Sequence, residues 1–338
     1  MAAVPDDALL YLNGADVSAL CARIPVTDVV RATFQESRRG NAGVSPEAAL
    51  RWTTPDGYAA RSLILPAWAG DDRGCKIINA SMGNERNGLP RAHGLIVLND
   101  PESAMPRCLM EGARISALRT AAVSVVALEA VRPLADVGHV AFLGCGRQAA
   151  THLELLRQHC PRLSRVTVFD ADRGRAERFA ADAGMRVQVV GTALAAVRDA
   201  EITVAVTTTT TPYVELDWLP PGGIFVNVSL DDATEDLLLG CDHLFVDDWA
   251  LVAADSHRLL GRLYRAGKAA APDAPGDARG RRVDAELPVL VSGGYHRPIA
   301  AHERVVINPF GMGMNDIALA AAVYERAVSE GVGRWLER

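Results

Sequence analysis

Short apolar runs alternate with helically spaced apolar positions through the middle third of the chain. HVAFL at 139–143, RVTVF at 165–169 and the stretches 186–190, 202–206, 223–228 and 243–246 read as buried strands. Between them, 148–159, 173–182 and 192–199 carry apolar residues three and four apart and are predicted helices. Strands alternating with helices imply βαβ units in a parallel sheet, and right-handed crossovers place helices on both of its faces. The first 120 residues differ: 61–65, 74–79 and 93–98 read as strands joined by turns, followed by a predicted helix over about 102–130. After the alternating region come a strand in VVINPF (305–310) and a helix from about Asn315. The simplest architecture is α/β and discontinuous. A doubly wound Rossmann sheet over 121–304 is inserted into an α+β domain formed by 1–120 and 305–338. Residues 268–282, rich in Ala, Pro, Gly and Asp, read as a surface loop.

Composition narrows the function classes. The 338 residues carry a formal net charge of −6 and no long basic run, which argues against nucleic acid as a partner. No stretch of about 18 apolar residues is free of charge, so no membrane span is expected. The start, MAAVPDDALLYLNG, lacks the basic n-region and apolar length of a signal peptide. The six cysteines, at 21, 75, 108, 145, 160 and 241, form no C-x-x-C pair. They read as reduced thiols of a cytoplasmic protein with no zinc or other metal site.

Candidate chemistry begins at the first of the alternating strands. Gly144-Cys145-Gly146-Arg147-Gln148-Ala149 is a G-x-G-x-x-A turn between a strand and a helix, with Asp170 ending the next strand. Gly144 allows the tight turn, Gly146 lets the backbone approach a pyrophosphate, and Ala149 permits close helix packing. The helix N-terminus offers N–H groups to phosphate. A carboxylate at 170 suits ribose hydroxyls and disfavours a 2′-phosphate, pointing to NAD, although Arg173 nearby could soften that preference. The threonines 207–211 follow a strand at the carboxyl edge of the sheet and either line the ligand crevice or form a plain polar loop. Asp231 and Asp232 follow IFVNVSL at the same edge, as a general base or as a cap for a helix starting near Thr234. Outside this region stand Arg51, Lys76, Arg91 and Arg119. Lys76 in CKIIN and Arg119 in ISALRTAAVS lie in apolar settings, where a charge is costly unless paired, and a bound carboxylate would pair them.

Over nearly its whole length the chain resembles the ornithine cyclodeaminase/mu-crystallin superfamily. The resemblance rests on LPAW (65–68), CKIIN (75–79), GLPRAHGLIVLNDPES (88–103), ISALRTAAVSV (115–125), GCGRQA (144–149), VDDW (246–249) and NPFGMGMNDIA (308–318). It implies that Arg51, Lys76 and Arg119 bind a substrate carboxylate, that Asp232 is catalytic, and that Thr120, Arg147, Gln148, Asp170, Thr208, Asn227 and Ser229 contact NAD. It also implies a homodimer formed through the substrate domain. Two departures from cyclodeaminases are notable: Ser229-Leu230-Asp231-Asp232 replaces a Gly-Gly-Asp ending, and Arg91 replaces a threonine. Arg91 has two readings, a ligand for an added substrate carboxylate or a cofactor contact. With VDDW and NPFGMG, these departures are similar to the branch that oxidatively cleaves N-(2-amino-2-carboxyethyl)-L-glutamate to L-2,3-diaminopropionate and 2-oxoglutarate for siderophores or antibiotics. In that reaction Lys76 would also stabilise developing negative charge. The alternatives are an ornithine or lysine cyclodeaminase, a cyclic-imine reductase and a mu-crystallin-like ligand-binding protein.

Overall fold

The computed structural model describes residues 8–229 and 231–337. Residues 1–7, which hold the start of the segment read above against a signal peptide, and Leu230 of the strand-end motif lie outside the described residues. The chain divides into two compact units, Met1–Arg119 with Met312–Arg338, and Thr120–Gly311.

The first unit is built on a mostly antiparallel sheet. Its elements in chain order are β1 (Ala8–Leu12), helices α1 (Gly14–Cys21) and α2 (Val26–Arg38), β2 (Ala42–Val44), β3 (Ala48–Thr53), β4 (Ala59–Ala69), β5 (Asp72–Ser81), β6 (Ala92–Asn99) and β7 (Pro106–Glu111). The sheet runs from a terminal strand, Arg334–Glu337, through β1, β7, β6, β5 and β4 to β2, with β3 also paired to β4. A capping box starts α1: Asn13 Oδ1 accepts from the backbone of Ala15 and Asp16, and the Asp16 carboxylate accepts from Asn13 N. The helix Gly313–Glu330 packs on β4, β5 and β6, close enough that a Cβ on Gly74 would meet Ile317 at 3.2 Å. Directly paired residues of antiparallel strands share a face. The pairs Leu65↔Lys76↔Ile96 and Ala67↔Gly74↔Leu98 therefore lie under this helix. The pairs Leu50↔Ser62, Trp52↔Ala60 and Ala48↔Ile64 lie on the opposite face.

The second unit is a doubly wound sheet whose strands are all parallel. It contains β8 (His139–Leu143), α4 (Arg147–His159), β9 (Arg165–Phe169), α5 (Arg173–Asp182), β10 (Val187–Val189), α6 (Ala193–Val197), β11 (Ile202–Ala205), β12 (Ile224–Asn227), α7 (Glu235–Gly240) and β13 (His243–Val246). The two-residue strands β14 (Ala269–Ala270) and β15 (Arg281–Arg282) pair with each other, and β16 (Ala285–Glu286) and β17 (Val305–Ile307) complete the main sheet. Its order is β10-β9-β8-β11-β12-β17-β13-β16, so the winding reverses between β8 and β11. Every residue of β8, β11, β12 and β13 is buried, as helices on both faces require.

Three expectations need correction. The helix expected over 102–130 is two elements: β7 over Pro106–Glu111, then helix α3 over Ala113–Val131. The pattern MPRCLME buries Cys108 and Met110 and half-exposes the residues between, a strand period hidden by its position just before a helix. The division between units falls inside α3, which no loop signal marks. Residues 305–311, allotted above to the first domain, belong to the second unit, because Val305–Ile307 pairs with β12 and β13. The stretch 268–282 is mostly turns and irregular chain, but its ends form the β14–β15 pair.

Candidate functional site

The second unit presents the nucleotide turn and an acid cluster. Gly144 has φ +88°, and a Cβ there would sit 3.0 Å from the Val206 carbonyl, so only glycine fits this crossing of strand ends. Gly146 N-caps α4 with no side-chain hydrogen bond, and a Cβ on it would meet nothing within 4 Å. The first turn of α4 thus faces open space with uncapped N–H groups, a cradle that fits a pyrophosphate. Asp170 is half-buried; its Oδ2 accepts from Cys145 N at 2.8 Å and its Oδ1 from Asp172 N at 2.9 Å. That places a carboxylate directly against the turn. Beneath α4, His152 is fully buried between Gln148 O (2.8 Å) and Ser124 Oγ (3.0 Å), and burial lowers its pKa to about 4. Thr120 is half-buried, Arg147 is exposed, and Gln148 keeps a buried Oε1 with no hydrogen-bond partner among the described residues.

Asp232 is fully buried and collects three hydroxyls. Thr207 Oγ1 donates to Oδ1 at 2.7 Å, Tyr213 OH donates to Oδ1 at 3.0 Å, and Ser229 Oγ meets Oδ2. Burial raises the Asp232 pKa, while the hydrogen bonds from Ser229, Thr207 and Tyr213 pull it back. The helix-cap alternative fails for Asp232, because Thr234 caps α7 through Leu237 N. The neighbour Asp231 is structural: it accepts from Leu259 N and pairs with Arg262 at 3.2 Å. Asn227 Nδ2 donates to Asn308 Oδ1 at 2.7 Å, and its own buried Oδ1 has no partner among the described residues. Of the threonine run, Thr207 reaches Asp232, whereas Thr208, the residue named above, is exposed. The VDDW motif is an anchor: the Asp247 carboxylate accepts from Phe310 N (2.9 Å) and Gly311 N (2.6 Å), and Asp248 caps the following helix.

The first unit holds a cationic cluster. Lys76 on β5 and Arg119 on α3 are 3% and 9% exposed, and both meet a fully buried acid, Asp316, on the helix Gly313–Glu330. Lys76 Nζ lies 2.7 Å from Asp316 Oδ2 and 3.4 Å from Ser116 Oγ. Arg119 Nε lies 3.0 Å from the same Oδ2. Among the described residues neither Nη of Arg119 has a hydrogen-bond partner, so the planar fork remains open to a carboxylate. Burial lowers the Lys76 pKa to about 8, helped by the Arg119 charge and opposed by Asp316. Arg51 lies on the same sheet face, opposite Arg61, which pairs with Ala80. Four residues along a strand and two strands across put its Cα about 16 Å from that of Lys76. It is exposed and outside the ion cluster, and Arg91 is half-buried just before β6. Asp316 and Tyr213 were not singled out from sequence, and Thr207 was read only as part of the threonine run, not as a partner of Asp232. The signal for Asp316 was available: an acid inside the apolar helix of NDIALAAA poses the same burial problem as Lys76.

Among the described residues no group of three metal-ligating side chains forms, and no helix is long and apolar enough to cross a membrane. The family model for ornithine cyclodeaminase/mu-crystallin matches residues 12–331. The chain is 30% identical over 299 residues to the N-((2S)-2-amino-2-carboxyethyl)-L-glutamate dehydrogenase of Staphylococcus aureus, covering 85% of each. The crystal structure of CmnK superposes with a TM-score of 0.89 at 34% identity, covering 98% of this chain and 99% of that one. A Thermococcus litoralis Delta(1)-pyrroline-2-carboxylate reductase, solved with NADH and L-proline, shares the fold with a TM-score of 0.83 at 24% identity, over 96% and 99% of the two chains. The chain belongs to the ornithine cyclodeaminase/mu-crystallin family.

Proposed function

We propose that the protein is an NAD-dependent oxidoreductase that oxidatively cleaves N-(2-amino-2-carboxyethyl)-L-glutamate. Substrate, NAD⁺ and water give L-2,3-diaminopropionate, 2-oxoglutarate, NADH and a proton. Support for the substrate comes from the Staphylococcus aureus relative, which carries this activity in its name. Support for the cofactor comes from the open turn at Gly146, the carboxylate of Asp170 beside it, and the NADH bound in the pyrroline-2-carboxylate reductase.

NAD⁺, when bound, supplies the hydride acceptor for oxidation at the glutamate α-carbon. Gly144, Gly146, Arg147 and Gln148 would hold it over the turn, Asp170 would take the ribose hydroxyls, and Thr120, Thr208, Asn227 and Ser229 would serve the remaining contacts. Arg119 binds a substrate carboxylate through its open fork, with Lys76 beside it; Arg51 and Arg91 serve the further carboxylates. Asp232 accepts the proton released from the substrate nitrogen, gives it up to solvent, and, ionised again, activates the water that adds to the resulting imine, the water's proton passing to the nitrogen that leaves. The observation that carries this role is the hydroxyl arrangement around it. Ser229 has one proton and two acceptors in reach, Asp232 Oδ2 and Ala205 O at 3.1 Å. With Asp232 ionised, Ser229 donates to it; with Asp232 protonated, Asp232 donates to Ser229 and Ser229 turns to Ala205 O. Both protonation states are satisfied without moving the backbone, as a proton-transferring group needs.

A homodimer through the first unit's sheet accompanies this reading. Leu50, Trp52 and Ile64, exposed by 66%, 45% and 39%, share the face turned away from the helix, an apolar surface that an isolated domain seldom leaves open.

Asp232→Asn tests the assignment. It keeps NADH affinity, measured by fluorescence titration, and loses at least about a thousandfold in turnover. Full activity in the Asn variant removes Asp232 from the mechanism. Ammonia release without NADH would mark a redox-neutral cyclodeaminase instead.

A further inference from the structure

The chain uses arginine almost everywhere it needs a cation: of 35 Lys and Arg residues, only Lys76 and Lys268 are lysine. Lys268 is an exposed partner of Glu235. Lys76 is buried, and it shares one carboxylate oxygen with an arginine, so it carries its charge in a setting where a lysine, unlike an arginine, can lose it. Arginine does not lose its proton in a protein, whereas a lysine does when burial and neighbours permit. The residue that decides whether Lys76 keeps its proton is Asp316. It is 0% exposed, it comes from a different part of the chain, and its Oδ2 is the meeting point of both cations, while its Oδ1 has no hydrogen-bond partner among the described residues.

We propose that Asp316 is a positioning residue for the reaction, holding the Lys76 ammonium protonated and aimed while tethering Arg119 beside it. This rests on the reading of Lys76 and Arg119 as substrate-carboxylate ligands. The groups facing Lys76 are Asp316 from the C-terminal helix, Arg119 and Ser116 from α3, and Glu47 from the segment before β3. Asp316 and Glu47 favour the ammonium, while Arg119 and burial oppose it. Asp316 is in direct contact at 2.7 Å, so its removal tips this balance furthest. The active form carries the proton on Lys76. With Asp232 ionised, activity is therefore complete below the lysine midpoint and falls as pH rises through it.

The test uses full-length protein saturated with NAD⁺ and carrying ¹³C,¹⁵N-lysine, in which two side-chain signals are expected. The Cε and Nζ shifts of Lys76 are followed against pH, with Lys268 as internal control. In wild type the midpoint is near 8. In Asp316→Asn it falls by about one pH unit or more, and in Asp316→Glu it stays close to wild type. In Arg119→Gln it rises. The sign is diagnostic, because a merely loosened site would rehydrate Lys76 and send its midpoint up towards that of an ordinary lysine in the Asn variant too. A midpoint that is unmoved or raised in Asp316→Asn overturns the proposal, as does a fall in Arg119→Gln should the Asn variant not fold. The alkaline limb of kcat/KM is expected to follow the same shifts. A complete lack of turnover on the tricarboxylate substrate would refute the functional reading while leaving the titration to decide the role of Asp316.

Discussion

Replacing Tyr213 by Phe removes one donor from the carboxylate that moves the proton and leaves the ring in place. The ring packs edge-on against Trp218, with centroids 6.4 Å apart, so the phenylalanine keeps its seat. Burial and the adjacent Asp232 raise the Tyr213 pKa, so the phenol remains a neutral donor throughout the working range. A hydrogen bond to an ionised acceptor contributes about 1.5–3 kcal/mol, and at 3.0 Å, longer than the 2.7 Å bond from Thr207, the Tyr213 bond belongs at the lower end. The bond favours ionised Asp232 over its protonated form, so its loss raises the carboxyl pKa by about one unit. The assay is the initial rate of NADH formation against pH. The acid limb of kcat/KM moves about one unit upward, rates below it fall about tenfold, and the plateau above it is nearly unchanged. A uniform loss at all pH values, or an acid limb that does not move, refutes the claim that Tyr213 tunes Asp232.

Gly146→Val separates cofactor binding from folding. An added Cβ meets no protein atom within 4 Å, so thermal stability is expected to hold while NADH affinity drops at least about a hundredfold. Asp232→Asn also tests linkage. A carboxyl whose pKa is raised by folding adds stability that is fully present below its unfolded value and is lost as pH rises through the folded one, so above that window the neutral Asn variant has an equal or higher Tm than wild type by calorimetry. Trp52→Glu places a charge on the exposed apolar sheet face and is expected to shift sedimentation from dimer to monomer.

Much of the second unit was legible because its strands are buried on both faces and its helices carry clear periodicity. RVTVF at Arg165–Phe169 and the helix Arg173–Asp182 fall where the pattern put them. The first unit was less so. β3, AALRWT, is exposed along its length and has no inward and outward alternation to read, and β7 merges with the following helix. At the site, the cations in apolar settings, Lys76 and Arg119, drew attention because their burial cost is visible in one segment of sequence. Their counter-charge was not found because Asp316 is 240 residues away from Lys76 in the chain. Tyr213 was missed for a similar reason: nothing in TPYVEL marks a phenol as a carboxylate ligand until Val214 pairs with Ala233 and brings the two segments together.

The most direct measurement is a product balance on purified protein given N-(2-amino-2-carboxyethyl)-L-glutamate and NAD⁺. The account expects one NADH, one 2-oxoglutarate and one L-2,3-diaminopropionate for each substrate consumed. Substrate left intact, or converted with no net NADH, would contradict it.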